Sequence, residues 1–385
     1  MDDGRLPRIP DPCRPSPPAA VLAAAGTTTL ITAHGTGFTA KNGVNLSLWR
    51  GDRVIDGDGS FHYIRDRENF QYWILGRSGS DGTSSVRRAI WEPGVFTIEH
   101  EQAGIAARLE ICVDPDGCEI RRTTLTNRSG RRRWLDLTVA AEVVLAPAAA
   151  HASHPVFSNL FLQTEFEASS RALLVRRRPR GADESPPWLI LADLGHETPE
   201  YETDRGRFLG RGGSLLRPAA MSATGPLSGT AGNVLDPVAA LRRTLTLDPD
   251  EHVVCSGLLG AAGDRDAALA LVRDRAGRRG TAAAFAGARE AARQALRRSG
   301  LSAADAAYLQ DLAGAMLYGD PRLRPAPDVL ARAAAGPGAL ARLGLDGDQL
   351  TVVLDARGGA DPALRAELRA ASRYWRSLGL NTALI

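Results

Sequence analysis

Lysine is almost missing from this chain. Lys41 is the only one among 385 residues, and arginine carries the remaining basic charge. Forty-seven basic residues against 44 acidic ones leave a net charge of +3, so no strongly basic surface is available for nucleic acid. Aromatic residues are only 5% of the chain and do not interleave with the arginine clusters Arg131–Arg133 and Arg176–Arg178. That argues against a stacking surface for bases and leaves those clusters as solvated turns or strand edges. Cysteine is scarce: Cys13, Cys112, Cys118 and Cys255 show no C-x-x-C and no paired metal spacing. Cys112 and Cys118 flank a turn and are near enough in sequence to bridge, but a reduced cytoplasmic protein with buried thiols is the simpler expectation. No apolar run approaches the roughly 18 residues of a membrane span. The run Ala19–Ala25 is short and follows a proline-rich, acid-containing start, unlike a signal peptide. Phosphate-loop, dinucleotide, zincin and serine-elbow motifs are all absent. Gly210–Gly213 reads as a turn, and His151 with His154 has no third metal ligand nearby.

What is present is a long series of strands and turns. Hydrophobic residues make up 44% of the chain, enough for real cores over two or three domains. Residues 1–26 read as a loose, proline-rich lead-in. Thr27–Thr32 is β-branched, and Ile105, Ala107, Leu109, Ile111 and Val113 alternate with more polar neighbours. That period of two predicts a half-buried strand. Pro115-Asp116-Gly117 supplies a turn, Cys118–Thr126 a return strand, Asn127–Gly130 another turn, and Leu135, Leu137 and Val139 the next strand. Repetition of this pattern over more than 200 residues predicts a large antiparallel β-sandwich across about 27–262.

After Gly263 the period changes. Asp264 caps a predicted helix to about Ala276, and a second helix covers Thr281–Arg298. Ser302-Ala303-Ala304-Asp305 is a capping box with Asp in the third position, opening a helix that ends near Gly319-Asp320-Pro321. Residues 263–320 are therefore predicted to be helical. After a mixed, glycine-rich stretch, Asp361-Pro362 opens a helix to about Leu378.

Acidic and aromatic residues cluster at Trp49, Arg50, Asp52, Asp56, Asp58, Arg65 and Asp66. Rings stack on pyranose faces and carboxylates accept hydroxyl hydrogen bonds, so Trp49, Arg50, Asp52, Arg65 and Asp66 form a candidate sugar-facing set. The run Trp49-Arg50-Gly51-Asp52 followed by Gly59–Asp66 resembles a landmark of the inverting glycoside phosphorylases, once called glycosyltransferase family thirty-six, and most closely the phosphorylase-like part of cyclic β-1,2-glucan synthases. Ala141–Pro147, His154–Phe161 with Gln163-Thr164-Glu165, Tyr201–Arg205 with Phe208–Gly212, and Val234–Pro237 resemble the succeeding landmarks in order and spacing.

The resemblance implies an N-terminal sandwich, a helical linker, and from about residue 321 the truncated start of an (α/α)₆ catalytic barrel. It implies a sandwich that packs on the barrel and helps form a homodimer, a β-glucan or oligosaccharide as ligand, and inorganic phosphate as co-substrate with no other cofactor or metal. Arg342–Asp348 resembles a segment whose Arg and final Asp hold sugar beside the scissile bond, which assigns substrate contact to Arg342 and Asp348. Ala341, Asp346 and Gln349 depart from the pattern. Such phosphorylases need one carboxyl general acid while phosphate attacks the anomeric carbon from the opposite face. By motif order that Asp lies beyond Ile385, so no catalytic residue is assigned here. Three expectations follow, in order of preference. The first is a non-catalytic front half that needs a missing barrel and leaves exposed apolar surface on 321–385. The second is a stand-alone carbohydrate-binding or interaction module. The third is a purely structural sandwich.

Overall fold

The computed structural model describes residues 8–9, 17–77, 86–179, 181, 184–320, 323–334, 336, 338–342, 344–345, 350–354, 359 and 361–385. The first strands are β1 (Arg8–Ile9), β2 (Ala19–Ala24), β3 (Thr27–Thr32), β4 (Gly37–Lys41), β5 (Val44–Ser47), β6 (Ser60–Asp66) and β7 (Tyr72–Ile74). Next come β8 (Val86–Glu92), β9 (Val95–Gln102), β10 (Ile105–Val113), β11 (Glu119–Asn127) and β12 (Arg133–Ala146). Short helices α1 (Ala148–Ser153) and α2 (Pro155–Asn159) precede β13 (Leu162–Glu167), β14 (Ala172–Arg177), β15 (Trp188–Asp193) and β16 (Glu200–Asp204). Helices α3 (Arg205–Leu209) and α4 (Ala219–Ser222) lead to the long strands β17 (Pro237–Leu247) and β18 (His252–Ala262).

These strands build two antiparallel nine-stranded sheets. The first runs β1-β8-β9-β10-β11-β18-β15-β14-β13. The second runs β16-β17-β12-β5-β4-β3-β2, with β6 and β7 attached beside β12. The period of two read from the sequence decides the layers. Leu109 and Ile111 of β10, Leu125 of β11, Leu135 and Leu137 of β12, and Leu245 and Leu247 of β17 share one buried core. The outward residues of the first sheet divide into two zones. Val95, Cys112, Ile120, Leu174, Ile190 and Leu258 lie under two helices, α5 (Arg265–Arg275) and α6 (Gly277–Ser299). Arg108, Glu110 and Thr124 occupy the same face outside that cluster, and the Arg122 guanidinium packs 4.4 Å from the Phe285 ring centroid at its border.

The strand β10 has the predicted limits, and β11 begins one residue later than predicted. Asp264 caps α5 through Ala267 N–H at 2.8 Å, and the Ser302–Asp305 box opens α7 (Ala303–Leu317) as expected. Two expectations are corrected. The lead-in is not loose throughout: β2 is a buried strand paired with β3 along its whole length. Its alanines hid it, because alanine has poor strand propensity but packs well where a helix presses close; Gly314 of α7 comes within 3.0 Å of Ala19 Cβ if given a Cβ of its own. The arginine clusters are not wholly solvated. Arg133 and Arg177 are buried, because every second side chain of a strand turns inward. The buried thiols are as expected: Cys112, Cys118 and Cys255 are free and buried; Cys13 lies outside the described residues.

Beyond α7 the chain carries α8 (Pro327–Arg332), α9 (Gly338–Ala341), the short parallel pair β19 (Leu350–Val352) and β20 (Thr382–Leu384), and α10 (Pro362–Ser377). Asp361 caps α10 with Pro362 in its first turn. The far half of α10 docks: Trp375 is 1% exposed and donates from Nε1 to Leu309 O at 3.0 Å. Gln310 of α7 bonds both backbone groups of Val21 and the Tyr374 hydroxyl, tying helices to β2. In contrast, no described residue between 323 and 354 is buried, and Leu323, Val329, Leu330 and Val353 are exposed. No described helix is long and apolar enough to cross a membrane.

Candidate functional site

The sequence landmarks meet at one end of the second sheet. Leu48 N–H donates to Glu142 O at 3.0 Å, which sets the loop after β5 against β12. Arg50 in that loop grips Asp58 at the start of β6, with Nε to Oδ2 at 2.9 Å and Nη2 to Oδ1 at 2.6 Å. Its own N–H also donates to Asp58 Oδ2 at 2.8 Å. Glu142 pairs with Arg205 Nε at 3.0 Å, and Arg205 Nη1 pairs with Asp236 Oδ2 at 3.2 Å. Asn159 Nδ2 donates to Asp236 Oδ1 at 2.9 Å. Residues from five separate landmarks thus form one polar face.

A bulge builds this face. The pairing of β12 with β5 shifts register between Val143 and Ala146, and Leu145 takes φ +47° there. A β-branched-poor but bulky residue in the left-handed region is strained, and the neighbourhood holds it. Arg177 donates from Nε to Leu145 O at 2.7 Å and from Nη2 to Val144 O at 3.1 Å and Ser158 Oγ at 2.7 Å. The bulge turns the strand toward α1 and α2 and brings Asn159 to Asp236. Burial raises the Glu142 carboxyl above its ordinary range, with Arg205 pulling the other way. Burial lowers His151, which lies within the fields of Arg177, Asp236 and Arg50.

The loops that carry the face also expose apolar side chains. Val54 is 93% exposed, and Ile55, Val156, Phe157, Leu160 and Leu235 are exposed as well. Trp49 is half-buried between Phe38 and Tyr318, with ring centroids at 5.2 and 5.8 Å. It fastens the loop to the end of α7, where Arg53 also bonds Gly319 O. Asp52 is fully exposed and accepts the N–H groups of Val54 and Ile55 at 2.9 and 3.1 Å, which lower its pKa. Asp56 holds His34 and Arg77, each at 3.0 Å.

The candidate sugar-facing set is therefore divided by the fold. Trp49, Arg50 and Asp52 stand at the landmark face. Arg65 and Asp66 lie at the far end of β6, about 20 Å along the strand at its usual rise. Both are buried in ion pairs, Arg65 with Asp136 and Asp66 with Arg133 at 2.7 Å. Arg342 is exposed in the turn after α9, and its companion Asp348 lies outside the described residues. Among the described residues no group of His, Cys, Asp and Glu is arranged to hold a metal. The face offers fixed donors and acceptors and an apolar rim, a combination suited to recognition. Glu142, Arg205 and Asp236 were not singled out individually from sequence, although each sits in a quoted landmark.

Residues 5–277 match the family described as "Glycosyl hydrolase 94, supersandwich domain". The chain belongs to this family. Its supersandwich and the sequence after it are similar to the cyclic β-(1,2)-glucan synthase NdvB of Rhizobium meliloti (strain 1021), with 28% identity over 389 residues. The match takes in 98% of this chain but 14% of that protein, so the chain spans about one-seventh of the length of this curated relative. Among solved structures, a putative kojibiose phosphorylase from the human microbiome aligns with 77% of this chain and 35% of its own, at 9% identity and a TM-score of 0.34. A putative aldose 1-epimerase from Escherichia coli K12 aligns with 64% of this chain and 99% of its own, at 7% identity and a TM-score of 0.42. The supersandwich family covers the two sheets and α5, and the landmark face lies wholly within it.

Proposed function

We propose that this chain is the non-catalytic, carbohydrate-binding front half of a β-glucan synthase or phosphorylase of the cyclic β-1,2-glucan type. Its residues 321–385 are the start of an (α/α)₆ barrel, and they and the landmark face pack against the remainder of that barrel, which carries the general acid. The observation that carries this reading is the conjunction of a closed sandwich core with a segment, 323–354, none of whose described residues is buried and which exposes Leu323, Val329, Leu330 and Val353. Apolar side chains left open in this way call for a covering surface, and the exposed Val156 and Phe157 at the landmark face call for one too. In the full assembly, the barrel's acid protonates the glycosidic oxygen while inorganic phosphate attacks the anomeric carbon and releases a sugar 1-phosphate. This chain's part is to position the glucan and complete the barrel's packing.

The test is to co-express the chain with an (α/α)₆ barrel from a β-1,2-glucan phosphorylase and measure sugar 1-phosphate formed from β-1,2-glucan and phosphate. The chain alone is expected to be inert, to co-purify with the barrel, and to lose that association on Phe157→Asp. Turnover by the chain alone, or failure to associate with the barrel, overturns the reading. The stand-alone carbohydrate-binding module is the second reading, favoured by the closed core of the sandwich; glucan binding without any barrel association selects it.

A further inference from the structure

A cleft of about 330 Å³ lies where the sandwich meets the helices that follow it. Its walls come from β2, the Pro93-Gly94 turn between β8 and β9, α6, and the docked end of α10. Alanine makes the room. Ala288, Ala291, Ala292 and Ala295 line the cleft from one face of α6, at the three- and four-residue spacing that stacks side chains along a helix. Leu22, Leu296 and Leu378 add to the apolar lining. At one end the turn closes on the helix: a Cβ on Gly94 would lie 2.5 Å from Ala288 O. Arg298 also lines the cleft, so the space follows α6 from Ala288 to Arg298, about 15 Å at the helical rise.

Few polar side chains line this space, and their surplus is all donor. Gln310 is saturated: its Oε1 accepts the Val21 N–H at 2.7 Å, and its Nε2 donates to Val21 O and to Tyr374 Oη, both at 3.0 Å. Ser377 Oγ donates to the Tyr374 carbonyl at 2.6 Å. Tyr374 Oη therefore accepts from Gln310, and its own hydrogen has no acceptor among the described residues. Tyr374 is 4% exposed. Burial pushes its pKa up to about 12, against the pull of Gln310, so the hydroxyl keeps its proton. Trp91 is 5% exposed and lines the same cleft, and its buried Nε1–H is without a partner. Buried donors in this condition cost stability until something supplies an acceptor. The one charged side chain among the described lining residues is the exposed Arg298, with no carboxylate beside it in the lining. A mostly apolar slot with open donors, one cation and no anion suits a ligand that has an apolar tail and an acceptor-only, anionic head.

We propose that this cleft binds a free monocarboxylate with an apolar tail, the tail lying along the alanine face of α6 and the carboxylate supplying the acceptors that the lining lacks. The seat touches β2, α6 and α10 together, so its occupant fastens α10 to the sandwich. This site is separate from the landmark face and does not rest on the carbohydrate reading. The experiment titrates the whole chain with sodium octanoate by calorimetry. Saturable binding is expected, and octan-1-ol, with the same tail and no charge, should bind at least tenfold more weakly. Arg298→Gln, at an exposed position, and Ala292→Leu, which fills the slot, should each weaken octanoate at least tenfold. Tyr374→Phe, which removes only the hydroxyl, should weaken it at least threefold. Circular dichroism checks that each variant is folded. Saturating octanoate should also slow proteolysis within residues 362–385 at least threefold. No binding by the parent, or parental affinity in Ala292→Leu, overturns the site. Parental affinity in Arg298→Gln or Tyr374→Phe, or octan-1-ol binding as tightly as octanoate, overturns the anionic head. Unchanged proteolysis in the bound chain overturns the fastening of α10.

Discussion

Asp136→Asn is the substitution that most directly separates a structural from a ligand-facing role for Arg65. Asp136 is 1% exposed. Its Oδ2 accepts from Arg65 Nε at 2.9 Å and Nη2 at 2.5 Å, and its Oδ1 accepts from Thr244 Oγ1 at 2.9 Å. A second buried guanidinium, Arg242, sits close enough that burial first, and then repulsion from Arg65, lower its pKa to about 10, with Asp136 acting to raise it. Removing that charge leaves the buried Arg65 without its carboxylate partner, while Arg242 keeps Glu200 at 3.5 Å. A unit pair about 4 Å apart at an effective dielectric near 20 is worth about 4 kcal/mol, which agrees with the about 3–5 kcal/mol seen when one member of a buried pair is removed. Spread over a unit the size of the sandwich, that lowers Tm by roughly 10 °C. Urea unfolding followed by tryptophan fluorescence reads the change in midpoint. The double variant Arg65→Met with Asp136→Leu should cost less, about 1–2 kcal/mol, because it removes both charges and leaves mainly the Ala223 carbonyl without its donor. A loss below about 1 kcal/mol in Asp136→Asn, or a double variant less stable than the single, would refute the account of Arg65 as one half of a buried pair.

Three further outcomes follow from the same structure. Trp375→Ala should destabilise α10 docking by about 3–5 kcal/mol, seen as loss of protease protection across residues 362–385 while the sandwich stays intact. His100 accepts the Gly76 N–H at Nδ1, so protonating that nitrogen would set two donors against each other. Burial lowers its pKa from 6.5 to about 4; the unfolded chain then binds the extra proton, and stability falls by about 3 kcal/mol as pH drops from 6.5 to 4. His62 is lowered in the same direction by burial. Thermal unfolding across that window measures the slope, and His100→Gln should flatten it. Gly76→Ala should cost about 2 kcal/mol or more, because φ is +88° and the new Cβ would lie 2.2 Å from Ala33 O; a comparison of urea midpoints checks it.

Local rules were strong enough to read much of this chain directly. The alternation along Ile105–Val113 set both the limits of β10 and the face each residue shows, since strand side chains must alternate. Asp264, Ser302 and Asp361 announced their helices because a cap needs only its own turn. Two local readings failed where context outweighed propensity: the alanines of β2, and the start of α6, which begins at Gly277, four residues before the predicted Thr281. Partner choice lay beyond those rules. Arg65 reaches Asp136 across 71 positions, and Glu142, Arg205 and Asp236 meet from a strand, a helix and a loop. Periods and caps are properties of neighbouring residues and were settled by sequence alone. Which charges are buried together, and which edges stay open, depends on how two sheets close over one core, and only the tertiary structure decided that.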